Sequence, residues 1–312
     1  MKIIFFGKGK RGLKCLKSLL EAGESIISVV LQQGDPLVEQ FKCIAEEHRI
    51  EIFFPKNPNS SKILTKFKSL RPDLFILAGY GLILKQQCLD IPKVISINLH
   101  GGKLPEYRGS SPMNWALING AKNIGISIIE VDSGIDTGSI LASSSLTIDE
   151  KTNISDLHSW ANEEFSNLLI DVVAKIKKGT LSPVRQDDAK SSYYPRRFAE
   201  DGFILWDQID AIDAHNKIRA LTLPYPCAFS FFKNRKINLI SSRLTSNPVF
   251  GEAGRIYRKA NGAFLISARD RALWITQAIF EDDSSPTYNE LSLYDSLVTQ
   301  KKEVLRNLQV ST

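Results

Sequence analysis

A chain of 312 residues, 43% hydrophobic and 24% charged, holds enough apolar material for one large core or two smaller ones, which excludes collagen-like, low-complexity and wholly disordered classes. The formal net charge of +6 favours anionic partners such as nucleotides or nucleic acid, although the basic residues are spread over several small spots: Lys8, Lys10 and Arg11, then Arg196 and Arg197, then Lys233, Arg235 and Lys236. The four cysteines, Cys15, Cys43, Cys88 and Cys227, lack C-x-x-C spacing, so neither a metal site nor a disulfide framework is expected. The apolar run 3–6 is too short for a secretory core and no other stretch is long enough to span a bilayer, so a cytoplasmic location without membrane contact is the expectation.

In chain order, 3–6 reads as a buried strand, 11–22 as a helix with Leu13, Leu16, Leu19 and Leu20 on one face, and 25–31 as the next strand. Residues 38–48 form a second helix, 50–54 a strand, 61–70 a helix, 74–78 an apolar strand and 94–99 another. Pro112 opens a helix that Ser110 and Ser111 are placed to cap, 125–131 is a strand, 139–148 is extended, and 155–177 is a long helix. This alternation predicts an α/β, doubly wound and mostly parallel sheet of Rossmann type, whose ligands gather beyond the carboxyl ends of the strands. After a polar connection at 181–197 come short strands at 228–232, 236–240, 254–257, 263–267 and 272–277, the pattern of a small β-barrel. The expected domains are 1–200 and 201–312, with a partly polar tail beyond Glu281 that is either loosely ordered or used in association.

Gly7-Lys8-Gly9-Lys10-Arg11-Gly12 satisfies G-x-G-x-x-G between a strand and a helix. The second strand ends in Leu31-Gln32-Gln33 with no acidic residue at its tip for a ribose hydroxyl, which argues against a nicotinamide dinucleotide. Lys8, Gly9 and Lys10 remain candidates for a substrate phosphate at a helix N-terminus. The run Asn98-Leu99-His100 and the later Asp136 carry the chemistry. Taken singly, Asn98 is a strand-end amide and His100 a buried imidazole bonded to backbone. Together an amide donor, an imidazole that titrates near neutrality and a carboxylate to orient it are equipment for acyl transfer.

The segments Ile97-Asn98-Leu99-His100, Leu104-Pro105, Tyr107-Arg108-Gly109 and Asp136-Thr137-Gly138 resemble the signature of the 10-formyltetrahydrofolate-dependent formyltransferases, and the similarity extends over most of the chain. The resemblance implies a Rossmann-like catalytic domain joined to an oligonucleotide-binding-like barrel, with 10-formyltetrahydrofolate as cosubstrate. It implies that Asn98 and protonated His100 stabilise the oxyanion formed when an amine attacks the formyl carbon, while Asp136 holds His100 and relays protons. It further implies that Tyr80, Leu82, Ile83 and Leu84, with the loop containing Asp132, Ile135 and Asp136, receive the pterin, partly through backbone groups. Arg108, by itself a surface cation or a turn-stabilising donor, falls with Ser110 and Ser111 in a loop near the acceptor, and the paired Arg196 and Arg197 suit a diphosphate or, alternatively, salt bridges with Glu200 or Asp201.

Branches of this family differ in acceptor. The branch that formylates initiator tRNA carries a long basic insertion after its second strand, whereas here the equivalent place holds only Leu31-Gln32-Gln33-Gly34-Asp35-Pro36. The expectation is therefore N-formylation of a nucleoside-diphosphate-linked amino sugar on the way to a surface polysaccharide, with tRNA formylation as the alternative. Water as acceptor would make the same site a hydrolase, and a folate-binding module without turnover is the non-enzymatic reading. A symmetric homodimer is a further expectation from relatives rather than from any particular residue.

Overall fold

A computed structural model describes residues 1–282 and 287–298. It divides into two compact units, one built from residues 1–112, 123–146 and 158–195, the other from 113–122, 147–157 and the chain from 196 onward. The second unit thus draws on residues 113–122, 147–157 and 196–200, which a contiguous division at residue 200 assigns to the first. Asp283 and the polar tail from 299 lie outside the described residues.

The chain begins with β1 (Lys2–Gly7), α1 (Gly9–Glu21), β2 (Ser25–Leu31), α2 (Val38–Glu47) and β3 (Glu51–Phe53). It continues through α3 (Ser61–Leu70), β4 (Leu74–Ala78), α4 (Gln86–Leu89), β5 (Ile95–His100), the two-residue β6 (Arg108–Gly109) and α5 (Pro112–Ile118). Then follow β7 (Asn123–Glu130), β8 (Ile140–Thr147), α6 (Ile154–Lys178) and a second two-residue strand, β9 (Tyr193–Tyr194), which pairs in parallel with β6. The main sheet has the order β3-β2-β1-β4-β5-β7-β8. Pairs among β1 to β5 are parallel, and β7 runs antiparallel to β5 with His100 opposite Ser127. Strand order reverses between β1 and β4, the place where such sheets open a crevice beyond their carboxyl ends.

Continuous apolar runs in β1 and β4 reflect burial of both faces: every residue of β4 is buried, as are residues 3–7 of β1. On one side Phe6 meets Phe67, Phe75 and Tyr80 edge-on at centroid distances of 5.7, 5.1 and 5.2 Å. The same cluster includes Leu77, Leu84 and Cys88, so the core continues directly into the segment after β4. The glycine pattern after β1 is a packing device. A Cβ on Gly12 would lie 2.9 Å from the Ala78 carbonyl and 3.1 Å from the Gly7 Cα, so α1 approaches the sheet only without a side chain there.

In the second unit, α7 (Ala211–Leu221) precedes β10 (Ala228–Phe232), β11 (Arg235–Leu244), β12 (Ile256–Ala260), β13 (Ala263–Ser267) and β14 (Ala272–Phe280), with α8 (Thr287–Glu290) after them. The strands form an antiparallel sheet of order β10-β11-β14-β13-β12, and register shifts around Ser241 bend β11 against β14. Where the sequence expects only short strands, α7 intervenes. Eight of its residues are buried, including His215, Asn216 and Arg219, so its inward face carries polar as well as apolar groups and no clean hydrophobic stripe marks it. Among the described residues no helix is long and apolar enough to cross a membrane.

Burial, with Arg11 nearby, pushes His158 of α6 down from 6.5 to about 4. Folding favours its neutral form, so stability present above pH 6.5 is lost as the pH falls towards 4, by up to about 3 kcal/mol. Denaturant unfolding of His158→Gln at pH 7 and pH 4.5 should show a smaller acid loss than the unsubstituted protein.

Candidate active site

Asn98 and His100 share one face of β5 through the two-residue period of a strand, at the carboxyl end beside the switch in strand order. The third group comes from the connection after β7, a loop closed at its base by the Glu130 N–H donating to Ser139 O at 3.0 Å. Within it Asp132 Oδ1 accepts from the Gly134 N–H and from Thr137 Oγ1 at 3.1 and 2.6 Å. A Cβ on Gly138 would stand 1.9 Å from the Glu130 carbonyl, so the return of the loop requires glycine. Asp136 adopts a left-handed backbone, φ 54°, a conformation that costs a non-glycine residue about 1 kcal/mol.

This backbone brings Asp136 Oδ2 to 3.4 Å from His100 Nδ1 and 2.9 Å from the Gly109 N–H, which donates to it. His100 is 5% exposed, and its Nε2 lies 2.6 Å from the Tyr107 carbonyl oxygen. A carbonyl only accepts, so Nε2 carries the hydrogen and the neutral ring has its lone pair on Nδ1. The 3.4 Å gap to Asp136 exceeds a normal N–H···O distance, as expected for two acceptors facing each other. Gly102 makes the arrangement possible: a Cβ there would be 2.7 Å from both His100 Nε2 and the Tyr107 carbonyl. Burial lowers the His100 pKa below 6.5, against the opposing pull of Asp136 and the Tyr107 carbonyl and with a small contribution from Arg11. Burial thus favours the neutral form of the resting imidazole.

A cleft of about 300 Å³ opens beside these groups. Tyr80, Leu82, Ile83, Leu84, Asp132, Ile135, Asp136 and Asn98 all line it, so the residues expected at the pterin and two of the expected catalytic residues, Asn98 and Asp136, come together. Ile83 and Ile135 are 79% and 60% exposed. Asn98 is half-buried and its amide has no protein partner among the described residues. The buried Tyr80 hydroxyl also lacks a partner, and burial pushes its pKa up to about 12. An apolar slot with backbone edges and an unsatisfied hydroxyl fits a flat heterocycle with polar margins.

The expected acceptor residues are placed differently. Arg108 is 2% exposed and points into the protein, donating from Nε to Gln186 Oε1 at 3.0 Å, from Nη1 to Tyr193 Oη at 2.9 Å and from Nη2 to Asp188 Oδ1 at 2.8 Å. All three of its nitrogens are occupied, so it holds the loop rather than a ligand. Ser110 and Ser111 follow on that loop, half-buried, with the Ser110 N–H donating to Tyr194 O at 2.9 Å and Ser111 in a left-handed conformation. The Gly9 N–H donates to Asp35 Oδ2 at 2.7 Å, so an internal carboxylate takes the place expected for a phosphate, while Lys8 and Lys10 extend into solvent. Arg196 and Arg197 belong to the second unit and separate: Arg196 lies over Phe198 at 5.6 Å and Arg197 over Trp115 at 4.7 Å. Arg197 also donates to the Asp201 backbone carbonyl at 3.2 Å, in place of the carboxylate pairing considered from sequence.

Sequence reasoning gives no sign of the Tyr107 carbonyl or of Gln186, whose Nε2 donates to the carbonyls of Asp136 and Gly138 at 2.8 and 2.7 Å. A larger cavity, about 430 Å³, lies in the second unit, but its histidine, His215, has both ring nitrogens bonded, to Ser242 Oγ and to the Glu150 carbonyl.

Residues 1–173 match the formyl transferase family and residues 198–291 the formyl transferase C-terminal domain. Methionyl-tRNA formyltransferase of Citrifermentans bemidjiense is 33% identical over 253 residues, 79% of this chain and 79% of that protein. The bifunctional polymyxin resistance protein ArnA of Wigglesworthia glossinidia brevipalpis is 32% identical over 99% of this chain, which spans 47% of that longer protein. The solved N-formyltransferase from Helicobacter canadensis, in complex with folinic acid and dTDP-3-aminofucose, is alike in fold, with a TM-score of 0.71 and 21% identity over 89% of this chain and 99% of that one. With these matches, the chain belongs to the formyl transferase family. It is a folate-dependent N-formyltransferase with 10-formyltetrahydrofolate as its cosubstrate.

The balance of burial against Asp136 is measurable without turnover. The NMR-detected titration of the His100 ring should have its midpoint below 6.5, and Asp136→Asn should lower it further, because the carboxylate is the main group that favours the charged ring. A midpoint above 6.5 in the unsubstituted protein would overturn the neutral assignment.

Proposed function

We propose that this enzyme transfers the formyl group to the amine of a nucleoside-diphosphate-linked amino sugar, with Asn98, His100 and Asp136 as its catalytic residues. The observation that carries the acceptor reading is the compact turn between β2 and α2, residues 32–37. Asp35, 5% exposed, closes this turn by accepting from the Gly9 and Leu37 N–H groups at 2.7 and 2.9 Å, leaving no basic arm there to follow a phosphate backbone. The basic spot on β11 is likewise internally compensated: Arg235 pairs with Asp282 at 2.9 Å and with Glu290, and Lys236 pairs with Glu281 at 2.7 Å. A nucleotide-linked sugar needs only a small anion-binding pocket, whereas a folded RNA needs a broad unneutralised surface.

In this reading bound 10-formyltetrahydrofolate supplies an electrophilic formyl carbon in the cleft lined by Tyr80, Leu82, Ile83, Leu84, Asp132 and Ile135. The unpartnered Asn98 amide donates to the formyl oxygen as negative charge grows on it. His100 Nδ1, the ring atom not already committed to backbone, accepts the proton that the attacking amine loses. The Nδ1–H so formed then faces Asp136, which converts an acceptor-acceptor contact into a charge-assisted hydrogen bond and makes the proton transfer more favourable. As the intermediate collapses, the bond from the formyl carbon to the folate N10 breaks and the proton held on His100 passes to that departing nitrogen, releasing tetrahydrofolate and the formylated amine. The Tyr107 carbonyl holds the ring in place throughout.

The likeness to methionyl-tRNA formyltransferases at 33% identity favours a second reading in which the acceptor is aminoacylated initiator tRNA. Incubation with 10-formyltetrahydrofolate and either UDP- and dTDP-linked amino sugars or Met-tRNA, with mass-spectrometric detection of the formylated product, separates the two. Formylation of a nucleotide-linked amino sugar is expected, and efficient formylation of Met-tRNA with none of the sugars would overturn the reading. Asn98→Ala should reduce kcat by about 10²–10³-fold with the acceptor that turns over, on the scale of a lost oxyanion donor.

A further inference from the structure

Asp136 reaches His100 only because its loop is held from behind. The side-chain amide of Gln186, 6% exposed, places its single NH2 group on two carbonyls of that loop, Asp136 O and Gly138 O, at 2.8 and 2.7 Å. Its Oε1 accepts from Arg108 Nε at 3.0 Å. Arg108 is in turn fixed by Tyr193 and Asp188, and the next residue, Gly109, donates its N–H to the Asp136 carboxylate. The circuit closes on Asp136 from both ends: Gln186 grips its main chain, and the loop that Arg108 anchors grips its carboxylate. Gly109 has φ 99°, and a Cβ there would lie 2.3 Å from the Tyr194 carbonyl, so the contact between β6 and β9 leaves little slack. The backbone reinforces it, with Arg108 N–H donating to Ser192 O at 3.0 Å and Tyr107 stacking on Tyr194 at 5.1 Å.

The geometry points to Gln186 and Arg108 as positioning residues for formyl transfer: they hold the left-handed Asp136 backbone so that its carboxylate faces His100 Nδ1. This rests on the catalytic reading of His100 and Asp136. The chemistry of the amide is specific. Only a group with both a two-proton donor and an acceptor satisfies two carbonyls and one guanidinium N–H at once, which glutamate and methionine of similar length do not. A buried carbonyl left unpaired by such a change costs about 1–3 kcal/mol, enough to let the loop relax to a less strained conformation.

The test uses Gln186→Met and Gln186→Glu in the full chain, together with Asp136→Asn and the double variant Gln186→Met/Asp136→Asn. With whichever acceptor the enzyme turns over, Gln186→Met should lower kcat roughly 10- to 100-fold while changing the KM for 10-formyltetrahydrofolate less than about threefold, the effect of a misplaced group. In the Asp136→Asn background the same change should lower kcat less than about threefold, because Gln186 acts through Asp136. The His100 titration midpoint, which needs no acceptor, should fall in Gln186→Met as it does in Asp136→Asn. A His100 midpoint that does not move, or kcat losses that multiply in the double variant, would assign Gln186 to stability alone and overturn the proposal. Should Gln186→Met fail to fold, Gln186→Glu, which keeps a partner for Arg108 but cannot donate to the two carbonyls, carries the same comparison. Loss of the acceptor assignment leaves the titration result standing, and a normal His100 midpoint in Asp136→Asn itself would instead count against the catalytic pair.

Discussion

His100 is nearly sealed from water at the end of a strand, so both of its ring nitrogens must find partners within the protein, and much of the first unit is arranged to supply them. One partner is a backbone carbonyl, which demands that residues 101–107 pass close over the ring and that Gly102 have no side chain. The other is a carboxylate, which demands that the loop after β7 return on itself with glycine at 138 and a left-handed aspartate at 136. The unequal strength of the two contacts matters chemically. A committed donor on one side and a long acceptor-acceptor approach on the other define which nitrogen is basic, so the ring needs no rearrangement to take up a proton.

The same economy explains the G-x-G-x-x-G pattern after β1 without a dinucleotide. Gly12 lets α1 settle against β1 and β4, and Asp35 supplies the negative charge that a helix N-terminus attracts. A carboxylate built into the turn between β2 and α2 does for the fold what a ligand phosphate does elsewhere. It leaves the switch in strand order free to serve chemistry at β5.

Much of the parallel sheet was legible because its strands are buried on both faces and its helices carry clean apolar stripes; β2, α3 and β4 fall at the positions that periodicity alone assigns. The α7 helix is hidden because His215, Asn216 and Arg219 face inward and satisfy themselves on distant backbone, such as the Glu150 carbonyl for His215 and the Asp149 and Thr152 carbonyls for Arg219. Strands β6 and β9, two residues each, are too short to carry a period. At the site, Asn98, His100 and Asp136 are legible as residue types suited to acyl transfer, the role proposed for them. Nothing in the sequence declares that Arg108 turns inward, since its partners Gln186, Asp188 and Tyr193 lie about eighty residues away. Long-range polar pairing of this kind leaves no local signature, and an arginine beside a reactive loop is read more easily as a ligand-binding group than as a strut.

Two isoleucines standing in water at the mouth of the cleft have a thermodynamic consequence for whatever occupies it. A flat ring covering Ile83 and Ile135 removes apolar surface from solvent, so its association carries a negative heat-capacity change and a dependence on temperature rather than on ionic strength. A group held by charge alone would instead lose affinity as salt rises, so the temperature and salt dependence of binding separate apolar from ionic attachment at this cleft.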